Sequence, residues 1–231
     1  MKKRQLILLH FAGGNHYSFQ FLLPWLKDFH VLVPELPGRG RRHGEALLRD
    51  FDLAAADIFR QVVRWLDTSP FIIYGHSMGA YLALKVANLL EQAGRCAGYI
   101  VVSGNAGPGI RDGKNRHLLQ GQAFIRELEY LGGVPREVLD DKELFSFFEP
   151  VLRADFELAE MNALGQEPPS GAPLYALMGS MESRTDKIAN WGRFTRRKFN
   201  SEIWEGDHFF IHNYPDRLAA LFLDCSRTRM E

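Results

Sequence analysis

The stretch Phe71-Ile-Ile-Tyr-Gly75-His76-Ser77-Met78-Gly79-Ala80 decides the fold. Phe71–Tyr74 predicts an apolar strand, Gly75–Gly79 a tight turn, and Ala80–Gln92 a helix with apolar residues near helical spacing. A serine at the tip of such a strand-to-helix turn has strained backbone angles. Glycine on either side lets the chain pass without a Cβ clash. The turn lifts Ser77 Oγ to the top of a sheet and sets the Met78 N–H at a helix N-terminus, where it can face a developing oxyanion. Ser77 is read as a nucleophile on this context; a Gly-x-Ser-x-Gly pentapeptide alone is also met as a plain turn.

Working outward, Gln5–His10, His30–Leu36, Gly98–Ser103, Leu174–Met178 and Glu202–Trp204 also read as strands, several apolar on both faces. Such runs suit a parallel sheet covered by helices on both sides. Leu53–Leu66 and Leu218–Cys225 supply further helices, the last started by Pro215-Asp216. Alternating strand and helix predicts a doubly wound α/β sheet, and the serine turn makes it an α/β-hydrolase fold. Between Gly107 and Glu167 the rhythm breaks. Leu118–Leu131, Arg136–Leu139, Lys142–Phe148 and Val151–Ala163 read as helices, interrupted at Gly132-Gly133 and Pro135. We expect residues 1–106 and 168–231 to form the core, with 107–167 a helical lid insertion over the site within a single domain. A helical unit with only a packing role is the plainer alternative.

The bulk numbers agree with one globular domain. The chain has 231 residues, 46% hydrophobic and 24% charged, with a formal net charge of +0. No global field draws it to nucleic acid or a membrane surface. The basic start with its short apolar run lacks a cleavage site, and no apolar run is long enough to span a bilayer. Cys96 and Cys225 sit in no metal-ligand pattern, so no metal is expected and a reduced, cytoplasmic setting fits.

A serine hydroxyl needs a general base, an acid that orients the base, and oxyanion donors. In this fold the chain order is nucleophile, acid, histidine. His208, in Trp204-Glu-Gly-Asp-His208-Phe-Phe after the last strand, is the candidate base, with His212 as runner-up. His76 is expected to pack and His10 to support the site; His16, His30, His43 and His117 are expected in loops or on the surface. The candidate acid is Glu182, at the carboxyl end of Leu174–Met178, with Asp186 the alternative acid or a helix cap. Glycines after the first strand, in Phe11-Ala12-Gly13-Gly14, let backbone N–H groups approach a ligand, which nominates Ala12 as the second oxyanion donor.

At these residues the chain resembles the stand-alone type II, or editing, thioesterases of nonribosomal peptide and polyketide synthesis. They share a broad family with the medium-chain thioesterase of animal fatty-acid synthesis. The resemblance runs nearly end to end. It rests on Phe11-Ala-Gly-Gly with Phe21 and Trp25, Glu35-Leu-Pro-Gly-Arg39-Gly-Arg-Arg42, Gly75-His-Ser-Met-Gly79, Leu131-Gly-Gly-Val-Pro135, Pro150-Val-Leu-Arg153-Ala-Asp155-Phe156 and Gly206-Asp-His208-Phe-Phe210. It implies hydrolysis of acyl thioesters on the phosphopantetheine arms of acyl or peptidyl carrier proteins, with no cofactor beyond the arm itself. It implies Ser77 as nucleophile, His208 as base, and Ala12 and Met78 as oxyanion donors. Glu182 stands where the family normally has aspartate, and Gly206-Asp207 replaces a more usual double glycine.

Further expectations concern the surroundings. Arg39, Arg41, Arg42 and Arg153 offer a patch for an acidic carrier protein, or only local ion pairs. Phe145, Phe147, Phe148 and Phe156 line an acyl pocket, or only fix the lid to the core. Nothing demands more than a monomer. Two other functions fit the same scaffold: a small-molecule carboxylesterase, acyl-CoA thioesterase or acyltransferase, and a catalytically silent binding protein.

Overall fold

Every residue from Leu6 to Leu9 is buried, and this is the pattern of a strand covered on both faces. The computed structural model, which describes residues 3–227, places this run in β1 (Arg4–Leu9), an interior strand second from one edge of a six-stranded sheet. The other strands are β2 (Phe29–Leu32), β3 (Phe71–His76), β4 (Tyr99–Ser103), β5 (Leu174–Gly179) and β6 (Phe199–Trp204). All neighbours pair in parallel, in the order β2-β1-β3-β4-β5-β6. Helices α1 (Phe51–Trp65) and α2 (Met78–Gln92) pack with Ile7, Leu9 and Ile73 on one face. Helix α6 (Pro215–Arg227) packs with Leu6, Leu8, Ile72 and Tyr74 on the other. This is the doubly wound α/β-hydrolase arrangement.

The chain moves outward from β1 to β2, then returns to place β3 on the other side of β1. Strand order reverses between β1 and β3, and a crevice opens beyond their carboxyl ends. Ala12 follows β1 and Ser77 follows β3, so both come to that crevice from adjacent strands.

Three elements depart from expectation. The second strand ends at Leu32 rather than Leu36. Pro34 and Pro37 have no N–H to donate, and the Gln61 side chain binds both the N–H and C=O of Glu35, so the chain leaves the ladder. The sixth strand is longer than Glu202–Trp204, because its polar first half lies at the sheet edge. The two helices expected on either side of Pro150 are one, α5 (Lys142–Met161). An interior proline removes one helix bond, at a cost of about 3 kcal/mol. Burial of Leu152, Ala154, Asp155 and Leu158 beyond it holds the continuation in place.

Helices α3 (Gly121–Leu131), α4 (Arg136–Asp140) and α5 occupy the region between β4 and β5. They enclose a small core of Phe124, Leu128, Leu139 and Leu152. At the α3–α4 turn, Gly133 has φ +82, and a Cβ there would lie 2.2 Å from the Phe209 ring. The helical region thus rests on the residue next to His208.

Candidate active site

Ser77 has φ 56 and ψ −116, one of two non-glycine residues with positive φ among those described. Such angles cost on the order of 1–3 kcal/mol and persist only where the surroundings enforce them. Here they do. A Cβ at Gly75 would meet Gly79 O at 1.9 Å, and one at Gly79 would meet Leu9 O at 2.1 Å. The Ser77 N–H donates to Ser103 O at 2.7 Å, and Asn105 Nδ2 donates to Ser77 O at 2.9 Å.

Ser77 Oγ lies 3.0 Å from His208 Nε2, and His208 Nδ1 lies 2.7 Å from Glu182 Oε2. A carboxylate at Nδ1 keeps the proton there and leaves Nε2 free to accept from the serine. The other Glu182 oxygen accepts from the Gly179 N–H at 2.8 Å, so the longer side chain folds back on its own strand end. Asp186 does not join them: its side chain is 68% exposed and pairs with Lys187 at 3.0 Å. Nor does it cap a helix. It lies in the first turn of the 3-10 helix Thr185–Phe194, where Arg184 precedes with no side-chain cap. Asp207 accepts from the Phe209 N–H at 2.8 Å, a turn role beside His208. His212 stacks on Phe209 and packs against Phe21, and burial lowers its pKa.

The two candidate oxyanion donors flank the serine. Met78 opens α2, where the first N–H groups have no acceptor within the helix. Ala12 lies in the Phe11–Gly14 turn, closed by Gly14 N–H to Phe11 O at 2.9 Å, and its own N–H has no acceptor among the described residues. Ala12, Ser77, Met78 and His208 all line one cavity of about 510 Å³.

That cavity corrects the expected acyl pocket. Phe156 lines it, together with Leu128, Leu131, Val134 and Leu152. Phe145 instead packs with Phe124 inside the helical region, and Phe148 faces solvent at 39% exposure, as does Phe147 at 71%. An expectation built on phenyl rings missed the aliphatic residues that line the same cavity as the serine.

Of the two readings of the arginines, local ion pairs hold for three of the four. Arg39 is buried and grips Asp155 through both terminal nitrogens, at 2.5 and 2.7 Å. Arg42 binds Asp57 and Glu45, and Arg153 binds Glu149 and the His117 carbonyl. Of the four, Arg41 remains on the surface.

Four further histidines take defined positions, of which the packing of His76 and the place of His10 near the site were expected. His76 is fully buried behind His208, ring centroids 5.0 Å apart, in a chain in which Ser103 Oγ bonds both His76 Nδ1 and the Tyr74 hydroxyl. Burial, then the nearby His208, pushes its pKa well below the ordinary value, so it stays neutral. His16 and His117 are not loose surface residues: their Nδ1 atoms meet Glu35 at 2.7 Å and Glu160 at 2.6 Å. His10 is buried below the Phe11–Gly14 turn, its pKa pushed down to about 4 by burial and then by Arg39. Asp155 offered one signal: a carboxylate at helical spacing from Leu152 and Leu158 falls on an apolar face, where only a partner makes it tolerable.

The chain is similar over nearly its whole length to known biosynthetic proteins. The gramicidin S biosynthesis protein GrsT of Aneurinibacillus migulanus is 30% identical, over 99% of this chain and 90% of that protein. Type II thioesterase BorB, from the borrelidin biosynthetic cluster, superposes with a TM-score of 0.89 at 29% identity, covering 98% of this chain and 94% of BorB. The RedJ thioesterase of the prodiginine pathway in Streptomyces coelicolor gives 0.86 at 28% identity, over 96% and 85%. Residues 4–228 match the thioesterase domain, and the chain belongs to that family.

Proposed function

We propose that this protein is an editing thioesterase that hydrolyses acyl groups from the phosphopantetheine arms of carrier proteins in nonribosomal peptide or polyketide synthesis. The observation that carries the reading is the continuous line Ser77 Oγ–His208–Glu182, at 3.0 and 2.7 Å, at the wall of a partly apolar chamber. His208 Nε2 takes the Ser77 proton as Oγ attacks the thioester carbonyl. The Ala12 and Met78 N–H groups receive the oxyanion. Protonated by His208, the thiol of the arm leaves, and an acyl-serine remains. His208 then deprotonates a water that attacks this ester, and the free acid departs. Glu182 holds the imidazole tautomer and stabilises the imidazolium. A thiol is a good leaving group, so glutamate in place of aspartate is sufficient for the step.

In this reading residues 107–167 act as a lid on the core formed by 1–106 and 168–231. Phosphopantetheine arrives on the substrate, so no separate cofactor enters the reaction. A monomer in the cytoplasm, meeting carrier proteins transiently, completes the proposal. Among the described residues no helix is long and apolar enough to cross a membrane.

The test compares release of one acyl group from a carrier protein, from coenzyme A and from a nitrophenyl ester. We expect kcat/KM to favour the carrier by more than tenfold, about 1.4 kcal/mol of transition-state discrimination. A smaller preference would favour a small-molecule esterase or acyl-CoA thioesterase.

A further inference from the structure

The Phe11–Gly14 turn is held from above by a helix that the sequence places 142 residues away. Gly13 has φ +76 at the third position, the mark of a type II turn. Its N–H, free of the turn's own hydrogen bond, donates to Asp155 Oδ2 at 2.8 Å. Arg39 Nη1 reaches both Asp155, at 2.5 Å, and Gly14 O, at 3.3 Å. Leu152, one helical turn before Asp155, touches the same corner: a Cβ on Gly13 would lie 2.6 Å from Leu152 Cδ2. Asp155 is wholly inaccessible and Arg39 is 6% exposed.

Each contact has a consequence. A buried carboxylate is stable only when its charge and lone pairs are met. Arg39 meets the charge through a two-point contact that fixes the carboxylate plane. The remaining acceptor capacity then points at one place, the Gly13 N–H. If the Ala12–Gly13 peptide turned over, the Ala12 carbonyl would face that carboxylate, acceptor against acceptor, in a site closed to solvent. The corner of the turn is therefore pinned at Gly13 by Asp155, at Gly14 by Arg39 and at the Cα by Leu152. The Ala12 N–H sits at this corner, with no acceptor among the described residues.

We infer that Asp155, oriented by Arg39, is a positioning residue for catalysis: it holds the Ala12 N–H where the oxyanion forms. The inference rests on the acyl-serine mechanism above. It also means that the second half of α5, although within residues 107–167, is anchored to the turn beside the nucleophile.

Asp155→Asn preserves shape but sets an amide NH2 against either Arg39 or Gly13. Loss of a whole oxyanion donor costs 100- to 1000-fold, so a displaced one is expected to lower kcat about 10- to 100-fold. KM should move little. Affinity for n-butylboronic acid, which adds to the serine as a tetrahedral anion, should fall in the same proportion as kcat. The midpoint of the pH–rate profile should stay where it is, since His208 and Glu182 are untouched. A folded Asp155→Asn protein with unchanged kcat, or with unchanged boronate affinity, overturns the inference. Arg39→Lys keeps the cation and provides the second arm if Asp155→Asn does not fold. It should lower kcat and boronate affinity together by about 3- to 10-fold, a fraction of the loss of a full donor; no change in either overturns the inference. Ser77→Ala, run in parallel, separates the two claims. Retained hydrolysis there sinks the acyl-serine mechanism and this inference with it, whereas loss there with an unimpaired Asp155→Asn enzyme sinks the inference alone.

Discussion

The two halves of α5 look alike in sequence and differ in what lies behind them. Before Pro150, Leu144, Phe147 and Phe148 are 39%, 71% and 39% exposed. After it, Leu152, Ala154, Asp155 and Leu158 are all at 2% or less. The first half turns Leu144, Phe147 and Phe148 to solvent while Phe145 packs inside; the second is a clamp on the turn beside the nucleophile. The two carboxylates after β5 divide in the same way. Glu182 is 7% exposed and faces an imidazole, while Asp186 is 68% exposed and faces a lysine. Neighbours in sequence acquire different work according to which of them the fold turns inward.

The strongest way to break this comparison is at the carboxylates. Glu182→Ala should cut kcat by roughly 10,000-fold, the order seen when the acid of a serine triad is removed, while Asp186→Ala leaves it unchanged. Steady-state rates on one acyl thioester decide it, and the reverse result would assign the acid to Asp186.

Next comes α5 itself. Leu152→Ala removes a buried side chain from the clamp and should destabilise the protein by about 2–5 kcal/mol. Phe147→Ala in the exposed half should stay within about 0.5 kcal/mol of the parent. Urea unfolding measures both, and equal losses would mean that the halves are not distinct.

Acid should act on the buried side of the comparison. Burial, then Arg39, lowers the His10 pKa to about 4, with Asp155, Glu35 and the Phe11 carbonyl acting in the opposite sense. Below about pH 6.5 the unfolded chain takes up a proton that folded His10 refuses, so stability falls as pH drops toward 4. His76 adds to the same trend. The His10 share is on the order of 3 kcal/mol at most, and His10→Gln should flatten that part of the stability curve. A parent curve level between pH 6.5 and 4 would contradict the burial argument.

Legibility in the sequence followed the range of the interactions. The serine turn was readable because strand, glycines and helix are contiguous from Phe71 to Gln92. His208 and Glu182 were readable because chain order and strand ends restrict where such groups arise. The Arg39–Asp155 pair was not, because its members are 116 residues apart: the place of Asp155 on an apolar helix face calls for a partner without naming it. The end of β2 was hidden for a related reason: Gln61, on α1, takes the hydrogen bonds that a strand neighbour would have made. Pro150 misled because the packing that carries the helix through it comes from elsewhere in the fold. Phenyl rings at 145 and 148 misled because helical spacing tells which residues share a face, not which face meets the chamber.

The central claim is that Ser77 Oγ carries the acyl group between thioester and water. Mixing the enzyme with an acyl-loaded carrier protein, quenching within a turnover and weighing the peptide that contains Ser77 tests it directly. The account predicts that peptide heavier by one acyl group, and no such mass in Ser77→Ala. Acyl release at the parent rate by Ser77→Ala, or an acyl group found on another residue, would contradict it.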